Sequence, residues 1–423
     1  MQQRGRRSLA GTERQGAEAD SKRVVRPTDR GIQAPPPMPS DLKPRAREEV
    51  PLRLPPLAPQ PPVNSNSPLP VGARLSAPPF LPVWTGLFSH DPWLVAVMQE
   101  GLKISFTSPP PLAPSPKWIQ VPRDPERAAA LRAEVAALLQ KQAIEVVNDA
   151  TIPGFYSHLF VVPQPGGRWR PVIDLSVLNT YITAPHFRME TARSLRQAVR
   201  RDEFAVSLDL TDAYLHVPMN RATRRYLRFA IDGAVYTFRA LPFGLNLSPW
   251  VFTRIMDAVV ATVRKLTSSE ISNYLDDLLQ KNTDPQALTR DLQLLLDRLL
   301  ALGFIVNTAK SDLVPAKDFV HLGMHFQTDL GCVKITDKRR EKLLLTVQAL
   351  LAVQTTTPRQ VAGVIGLCAA VAELVPLGRL HIRALQWALA DLWCQKTALW
   401  DVNIPVSSGL RAALEPWLRQ EWL

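Results

Sequence analysis

The sequence predicts an α+β domain followed by an all-α one, with a disordered segment in front. Three observations carry this. Between about residues 120 and 330, short alternating segments are interleaved with segments whose apolar residues recur at helical spacing. From Thr336 onward only the helical pattern continues. Residues 1–78, by contrast, are rich in Pro, Arg, Ser and Gln with few aromatics, so burial cannot offset their ordering entropy.

In chain order, the proline runs Pro35 to Pro37, Pro55-Pro56 and Pro61-Pro62 favour extended polyproline, either as SH3-type ligands or as a plain spacer. From Phe80 aromatics rise (Trp84, Phe88, Trp93, Phe106), and residues 79–119 read as an extended strap docking on the domain that follows. Asp124-Pro125 reads as an N-cap with proline at the first helical position, and Leu131, Val135, Leu138 and Leu139 supply that helix's apolar face. Leu159 to Val162 and Arg170 to Asp174 read as strands joined by a turn at Pro165-Gly166-Gly167. Phe204 to Leu210 alternates, with Phe204, Val206, Leu208 and Leu210 on one face and Ser207 and Asp209 on the other. Ser248-Pro249 reads as another cap before the stripe Phe252, Ile255, Met256, Val259, Val260 and Val263. A further helix runs from about Pro285 to Leu302, stopped by Gly303; Thr336 is placed to cap a helix opening with Lys338, Arg339, Arg340 and Lys342.

Bulk properties narrow the function classes. A net charge of +12 suits a polyanionic partner, nucleic acid being the commonest, although basic proteins without one are also common. Cys332, Cys368 and Cys394 are odd in number and far apart, which argues against a disulfide framework or zinc site and for a reducing compartment, cytoplasm or nucleus. Arg4, Arg6 and Arg7 are followed by no apolar run, so no secretory signal is expected. The stretch from Val364 to Leu377 is broken by Glu373 and too short for a bilayer, so no membrane partner is expected.

Three segments carry chemistry. Tyr274-Leu275-Asp276-Asp277, flanked by Ile271 and Leu278-Leu279, suits a hairpin presenting acids at its tip; alone it is a weak motif that fits a solvated acidic turn better. Hard cations prefer such oxygen ligands, and two-metal phosphoryl transfer needs them. Ser207-Leu208-Asp209-Leu210-Thr211-Asp212-Ala213-Tyr214 puts one acid at a strand end with an aromatic five residues on; the other reading is a helix start capped by Asp212. Leu241-Pro242-Phe243-Gly244-Leu245-Asn246-Leu247-Ser248-Pro249 is a loop whose glycine allows close backbone approach.

Order and spacing join these three. The chain resembles a retroelement reverse transcriptase, with SLDLTDAY, LPFGLNLSPWVF and YLDD as its motifs A, B and C. Arg168 to Asp174 through Leu178-Asn179 resembles the fingers motif, Leu302-Gly303-Phe304 to Lys310 motif D, and His321-Leu322-Gly323-Met324 the primer grip. More narrowly, Asp91-Pro92-Trp93, Ile104-Ser105-Phe106, Pro109 to Pro111, Gly154-Phe155-Tyr156-Ser157, Val375-Pro376-Leu377-Gly378 and His381 to Leu385 are similar to DIRS-type, tyrosine-recombinase retrotransposons. Gypsy-type elements and pararetroviruses are the near alternatives.

The resemblance implies a right-hand polymerase: fingers and palm over 120–330, helical thumb or connection over 331–423. It implies RNA-directed DNA synthesis from dNTPs on a primed RNA or DNA template, with two Mg²⁺ ions or Mn²⁺ in their place. Asp209, Asp276 and Asp277 would be metal ligands, joined by the carbonyl of Leu210. Arg170 would contact the nucleotide phosphates, Tyr214 would be the steric gate against ribose, and Phe243 and Gly244 would line the nucleotide pocket. Lys310 would protonate departing pyrophosphate, a solvated surface lysine being the other reading. His321, Leu322, Gly323, Met324, Lys338, Arg339 and Arg340 would contact nucleic acid. Where many relatives have a lysine before the fingers turn, this chain has Pro163-Gln164-Pro165, so triphosphate binding is expected to be weaker unless Arg168 compensates. No spaced acidic set for RNase H is visible before Leu423; that activity, with a recombinase, is expected from partners of the same element. A remnant that only binds nucleic acid or a protein partner is the alternative function.

Overall fold

The computed structural model describes residues 69–419 apart from 165–166, 188, 190 and 395–398. The proline runs therefore lie outside the described residues. Residues 69–78 correct the predicted boundary, because they are packed rather than disordered. Val71 and Leu75 are buried, and Gly72 and Ala73 donate backbone hydrogen bonds to Lys141 and Leu215, both at 2.8 Å. Their two apolar side chains find a preformed surface, which composition averaged over the whole tail hides.

The segment expected as an extended strap is corrected in its first half. It forms two helices, α1 (Leu81–Leu87) and α2 (Pro92–Glu100). Asp91 caps the second by accepting from the Leu94 N–H at 3.0 Å, with proline in the first turn. Trp84 anchors the pair by donating its indole N–H to the Leu302 carbonyl at 2.9 Å, and the Arg254 guanidinium lies 3.9 Å over the Trp93 ring. From Gly101 the chain is extended, and Leu102, Thr107 and Ile119 donate to Pro218, Tyr181 and Ala230.

The first capped helix is as expected: α3 (Pro125–Gln140) buries Ala128, Leu131, Val135 and Leu138, and Asp124 accepts from the Glu126 N–H. β1 (Ile144–Val146) follows, then the hairpin of β2 (His158–Gln164) and β3 (Arg168–Asp174), paired from His158↔Asp174 to Gln164↔Arg168. Short helices α4 (Ser176–Asn179) and α5 (Ala192–Ala198) lead to β4 (Phe204–Asp209). After α6 (Arg221–Arg224), strands β5 (Arg228–Ile231) and β6 (Ala234–Phe238) join β1 in a three-stranded sheet of order β1-β6-β5.

The central layer is an antiparallel sheet, order β7-β8-β4-β9, built with β7 (Glu270–Tyr274), β8 (Asp277–Asn282) and β9 (Asp312–Ala316). Two long helices, α7 (Ser248–Arg264) and α8 (Pro285–Ala301), are embedded in the same core, burying the Phe252–Val263 stripe and Leu288, Leu292, Leu295 and Leu299. Ser248 is corrected as a cap: Leu247 holds that position, and the buried Ser248 hydroxyl donates to the Pro242 carbonyl at 2.7 Å. At the sheet's far end Lys281 is buried between Glu203 (3.0 Å) and Glu270 (2.5 Å). Removing one partner would strand a buried charge, so the cluster ties β8 to the β4 end and helps fix their register.

A second hairpin, β10 (Asp318–His321) and β11 (Met324–Gln327), continues into β12 (Cys332–Ile335). The helical unit then comprises α9 (Asp337–Ala352), α10 (Pro358–Val371), α11 (Gly378–Leu392) and α12 (Ser408–Leu414), with the small pair β13 (Thr355–Thr356) and β14 (Ile404–Pro405). It has its own core around Leu343, Val347, Val364, Leu385, Leu410 and Trp417. Thr336 sits at the N-cap of α9 but its side chain makes no capping bond. The order of α+β followed by all-α is as the sequence predicts. Among the described residues no helix is long and apolar enough to cross a membrane.

Candidate active site

Strand register brings the predicted acids together. β4 and β8 pair from Phe204↔Asn282 to Asp209↔Asp277, so two aspartates end up directly opposite at the ends of the two inner strands. The β7–β8 turn places Asp276 beside them, with Leu275 at a left-handed φ of 56°. The Leu210 N–H donates to the Asp276 carbonyl at 3.1 Å, locking the two motifs across the strand ends. From the other side, the Asp209 N–H donates to Ser311 Oγ (3.0 Å) and its carbonyl accepts from the Asn307 N–H (2.8 Å). Lys310 projects from the same turn, its Nζ 3.7 Å from Asp209 Oδ1 and largely in solvent.

The electrostatics at these strand ends are repulsive. Burial, then the charge of Asp209, raises the Asp276 carboxyl above its usual range. Asp277 is pushed up to about 6 by burial, then by Asp276 and Asp209. Lys310 and Arg170 pull against this at Asp276, yet the net shift stays upward. Acids held together against repulsion and desolvation gain most from an added hard cation. Among the described residues no three acidic, imidazole or thiolate groups close into a ready-made cage. Magnesium sites commonly use one or two carboxylates and take their remaining oxygens from water and substrate phosphates, and two facing aspartates at strand ends fit that pattern.

The floor of the site is aromatic. Tyr214 lies in a short 3₁₀ turn, Ala213–His216, buried with its ring 4.9 Å from Phe243 and 5.5 Å from Phe252. Burial and then Asp276 and Tyr274 push its hydroxyl up to about 12, so it stays protonated. Asp212 enters the turn at φ 48° and pairs at 2.9 Å with Lys141, the C-cap of α3, tying motif A to the fingers.

His216 closes the underside. Its Nδ1 lies 3.1 Å from the Ala213 carbonyl and its Nε2 accepts the Ile305 N–H at 3.2 Å, which requires the neutral ring. Burial lowers it to about 4 from an ordinary 6.5. Between those values the unfolded chain binds a proton that the folded chain refuses, so stability falls as pH drops from about 6.5 towards 4, by on the order of 3 kcal/mol. Urea midpoints against pH should therefore be flatter over that window in His216→Gln. A wild-type slope unchanged by the substitution contradicts this.

Above the tyrosine, Gly244 has φ +87°, and a Cβ there would stand 3.0 Å from the Ile173 carbonyl. Its carbonyl accepts from Asn179 Nδ2 at 2.9 Å, while Asn246 N–H donates to Asn179 Oδ1 at 3.0 Å. This clasp fixes the motif B loop against the fingers. Gly244→Ala should cost about 1–2 kcal/mol of stability through the left-handed backbone; a urea midpoint equal to wild type would show that the loop accepts a Cβ without strain. A cavity of about 400 Å³ opens here, lined by Arg170, Ile173, Lys141, Asp212, Phe243 and Gly244 among others. Thus Arg170, Phe243 and Gly244 share one pocket wall, and Arg170 is close enough to act on Asp276. The Arg168 backbone pairs with Gln164; its side chain, like Pro165, lies outside the described residues.

The predicted primer-grip residues divide. Leu322 (φ 48°) and Gly323 (φ 74°) form the tight hairpin tip, with the Arg339 guanidinium packed against Gly323. The side chains of His321 and Met324 are buried beneath it, and burial lowers His321 to about 4. β pairing turns both side chains to the core face, which leaves the backbone of this hairpin for any outward contact. Lys338, Arg339 and Arg340 are exposed on α9, and Arg340 pairs with Asp337 at 3.4 Å. Sequence reasoning assigned no role to Asn246, Asn307, Ser311 or the Lys141–Asp212 pair, whose partners are distant in sequence.

Residues 162–326 match the family model described as reverse transcriptase (RNA-dependent DNA polymerase). Over that segment the chain is similar to reverse transcriptase domains. The segment encloses β4, the motif B loop and the β7–β8 hairpin. The chain is 26% identical over 233 residues to the Pro-Pol polyprotein of Simian foamy virus type 1, covering 55% of this chain and 19% of that protein. It is 30% identical over 218 residues to the Gag-Pro-Pol polyprotein of Human T-cell leukemia virus 2, covering 49% and 14%. It therefore spans less than a fifth of either relative. A solved foamy viral protease-reverse transcriptase in complex with RNA/DNA hybrid matches with TM-score 0.58 at 20% identity, over 74% of this chain and 38% of that one. That likeness supports the reverse transcriptase fold.

Proposed function

We propose that this chain is the RNA-directed DNA polymerase of a retrotransposon, of DIRS type by its flanking motifs, extending a primer with dNTPs. The observation that carries the reading is the register Asp209↔Asp277 with Asp276 alongside, within reach of the charge of Arg170, with Tyr214 packed on Phe243 nearby.

Asp209, Asp276 and Asp277, with the Leu210 carbonyl, would hold two Mg²⁺ ions, Mn²⁺ being the other ion of suitable chemistry. When bound, the ions neutralise charge on the attacking 3′-oxygen, the transferred phosphate and the leaving pyrophosphate. The protein's own contribution is positioning. Arg170 offers a planar fork to phosphate oxygens. The Tyr214 ring fills the space under the sugar where a 2′-hydroxyl would stand. Gly244 lets the backbone approach the nascent base pair. Lys310, exposed beside Asp209, is placed to give a proton to departing pyrophosphate. Lys338 and Arg339 face solvent where a template-primer backbone would be gripped, with the Leu322-Gly323 tip beside them.

Template and primer are the proposed partners. A retroelement remnant that only binds nucleic acid is the competing reading, and a paired measurement separates them. Primer extension and duplex affinity are measured for wild type and Asp276→Asn. Polymerase function requires that extension be lost while salt-dependent affinity persists. Equal extension by both proteins, at background level, would leave only the binding function.

A further inference from the structure

A second concave site lies away from the aspartates, between α6, β5 and the segment following β1. It is a cavity of about 660 Å³ into which Arg221, Arg224, Arg225 and Arg228 all project, with Glu145 among its lining residues. That volume lies within the range of about 300–1,000 Å³ usual for ligand sites.

The arginines are unequally committed. Arg224 pairs with Glu145 at 2.8 Å. Arg221 and Arg225 are exposed and form no salt bridge among the described residues. Arg228 is the unusual member. It is only 6% exposed, its guanidinium donates to the Ile152 carbonyl at 2.7 Å, and its Nε has no hydrogen-bond partner among the described residues. Among the described residues no carboxylate reaches it within salt-bridge distance, although Asp149 lies close enough to feel its charge. A buried guanidinium is ordinarily paired, because the cost of desolvating it is recovered only through an anion. Here the fold buries the cation and surrounds it with three more. Gly154 makes room for it: a Cβ there would stand 2.7 Å from Arg228 Cδ.

The rim decides which anion. Val146 and Ile152 line the same cavity at 51% and 48% exposure. Guanidinium forks suit phosphate oxygens, and an adjoining apolar wall suits the face of an unstacked base. A duplex keeps its bases stacked inside and cannot present that face to a concavity. We propose that this cavity is a site for single-stranded nucleic acid, with a phosphodiester on the arginines and a base against Val146 and Ile152. It goes beyond the polymerase reading and does not depend on the three aspartates.

The test uses the full chain carrying Asp276→Asn, so that failure of the polymerase reading leaves it intact. Anisotropy of a labelled oligo(dT) is followed across salt concentrations, with and without Arg221→Ala plus Arg225→Ala. Both residues are exposed, so the double variant should fold. Losing two phosphate contacts should weaken oligo(dT) on the order of 10-fold at low salt and flatten the log–log salt slope by about 1.4, while blunt duplex affinity stays unchanged. Equal affinity and slope in both proteins overturns the proposal. So does a double variant that loses only stabilisation by inorganic phosphate, which would mark a free-anion site. Competition by polyglutamate as effective as by unlabelled oligo(dT) would assign the cavity to an acidic polypeptide and overturn it too.

Discussion

Asp276→Asn should slow primer extension by about 10³-fold, equivalent to roughly 4 kcal/mol of transition-state stabilisation, and should leave the protein at least as stable as wild type. Both halves follow from one fact. Burial and Asp209 hold the Asp276 carboxyl above its normal range, so its charge costs stability in the absence of a cation. Asp277, pushed up to about 6, makes the point more sharply. In the presence of a chelator Asp277→Asn should raise stability by on the order of 1 kcal/mol, while reducing activity. Thermal melts alongside extension assays check this. If either asparagine variant lowered the melting temperature by several degrees, the acids would be structural and the cation-site reading would be wrong.

The second large effect concerns the sugar. Tyr214 is wedged between Phe243 and Phe252, so its ring cannot swing away from an incoming 2′-hydroxyl without repacking the pocket floor. Tyr214→Val should reduce discrimination against ribonucleotides by about 10²-fold, the penalty expected from removing an overpacking clash of roughly 2–3 kcal/mol. The loss should appear as faster rNTP incorporation, with dNTP incorporation impaired far less. Single-nucleotide incorporation with matched dNTP and rNTP measures it. If discrimination stayed within a factor of two, the gate would lie elsewhere.

The central residues were legible because local rules and the global fold agree there. The alternation from Phe204 to Leu210 places Asp209 on its face, and the apolar flanks of Asp276-Asp277 make a hairpin whose register sets Asp277 opposite Asp209. The capped starts at Asp124 and the stop at Gly303 were equally local. Where reading failed, tertiary partners decided the outcome. Val71 and Leu75 are too few to announce order in a proline-rich stretch, yet they dock beside Lys141 and Leu215. Ser248 looks like a cap until the Pro242 carbonyl claims its hydroxyl. The Asn179–Asn246 clasp joins positions that no local pattern connects. The burial of the His321 and Met324 side chains is likewise set by hairpin pairing, which their motif does not display. The arginine cavity collects residues from two distant segments, and its meaning lies in the burial of Arg228, which no sequence displays.

The most direct test of the central claim is extension of a DNA primer on an RNA template with dNTPs and Mg²⁺, comparing wild type with Asp209→Asn. The Asp209 backbone is held at both its N–H, by Ser311 Oγ, and its carbonyl, by the Asn307 N–H, so its substitution changes charge with little change in position. The predicted result is templated, Mg²⁺-dependent extension by wild type and none above background by the variant. Extension at the same rate by both would contradict the account.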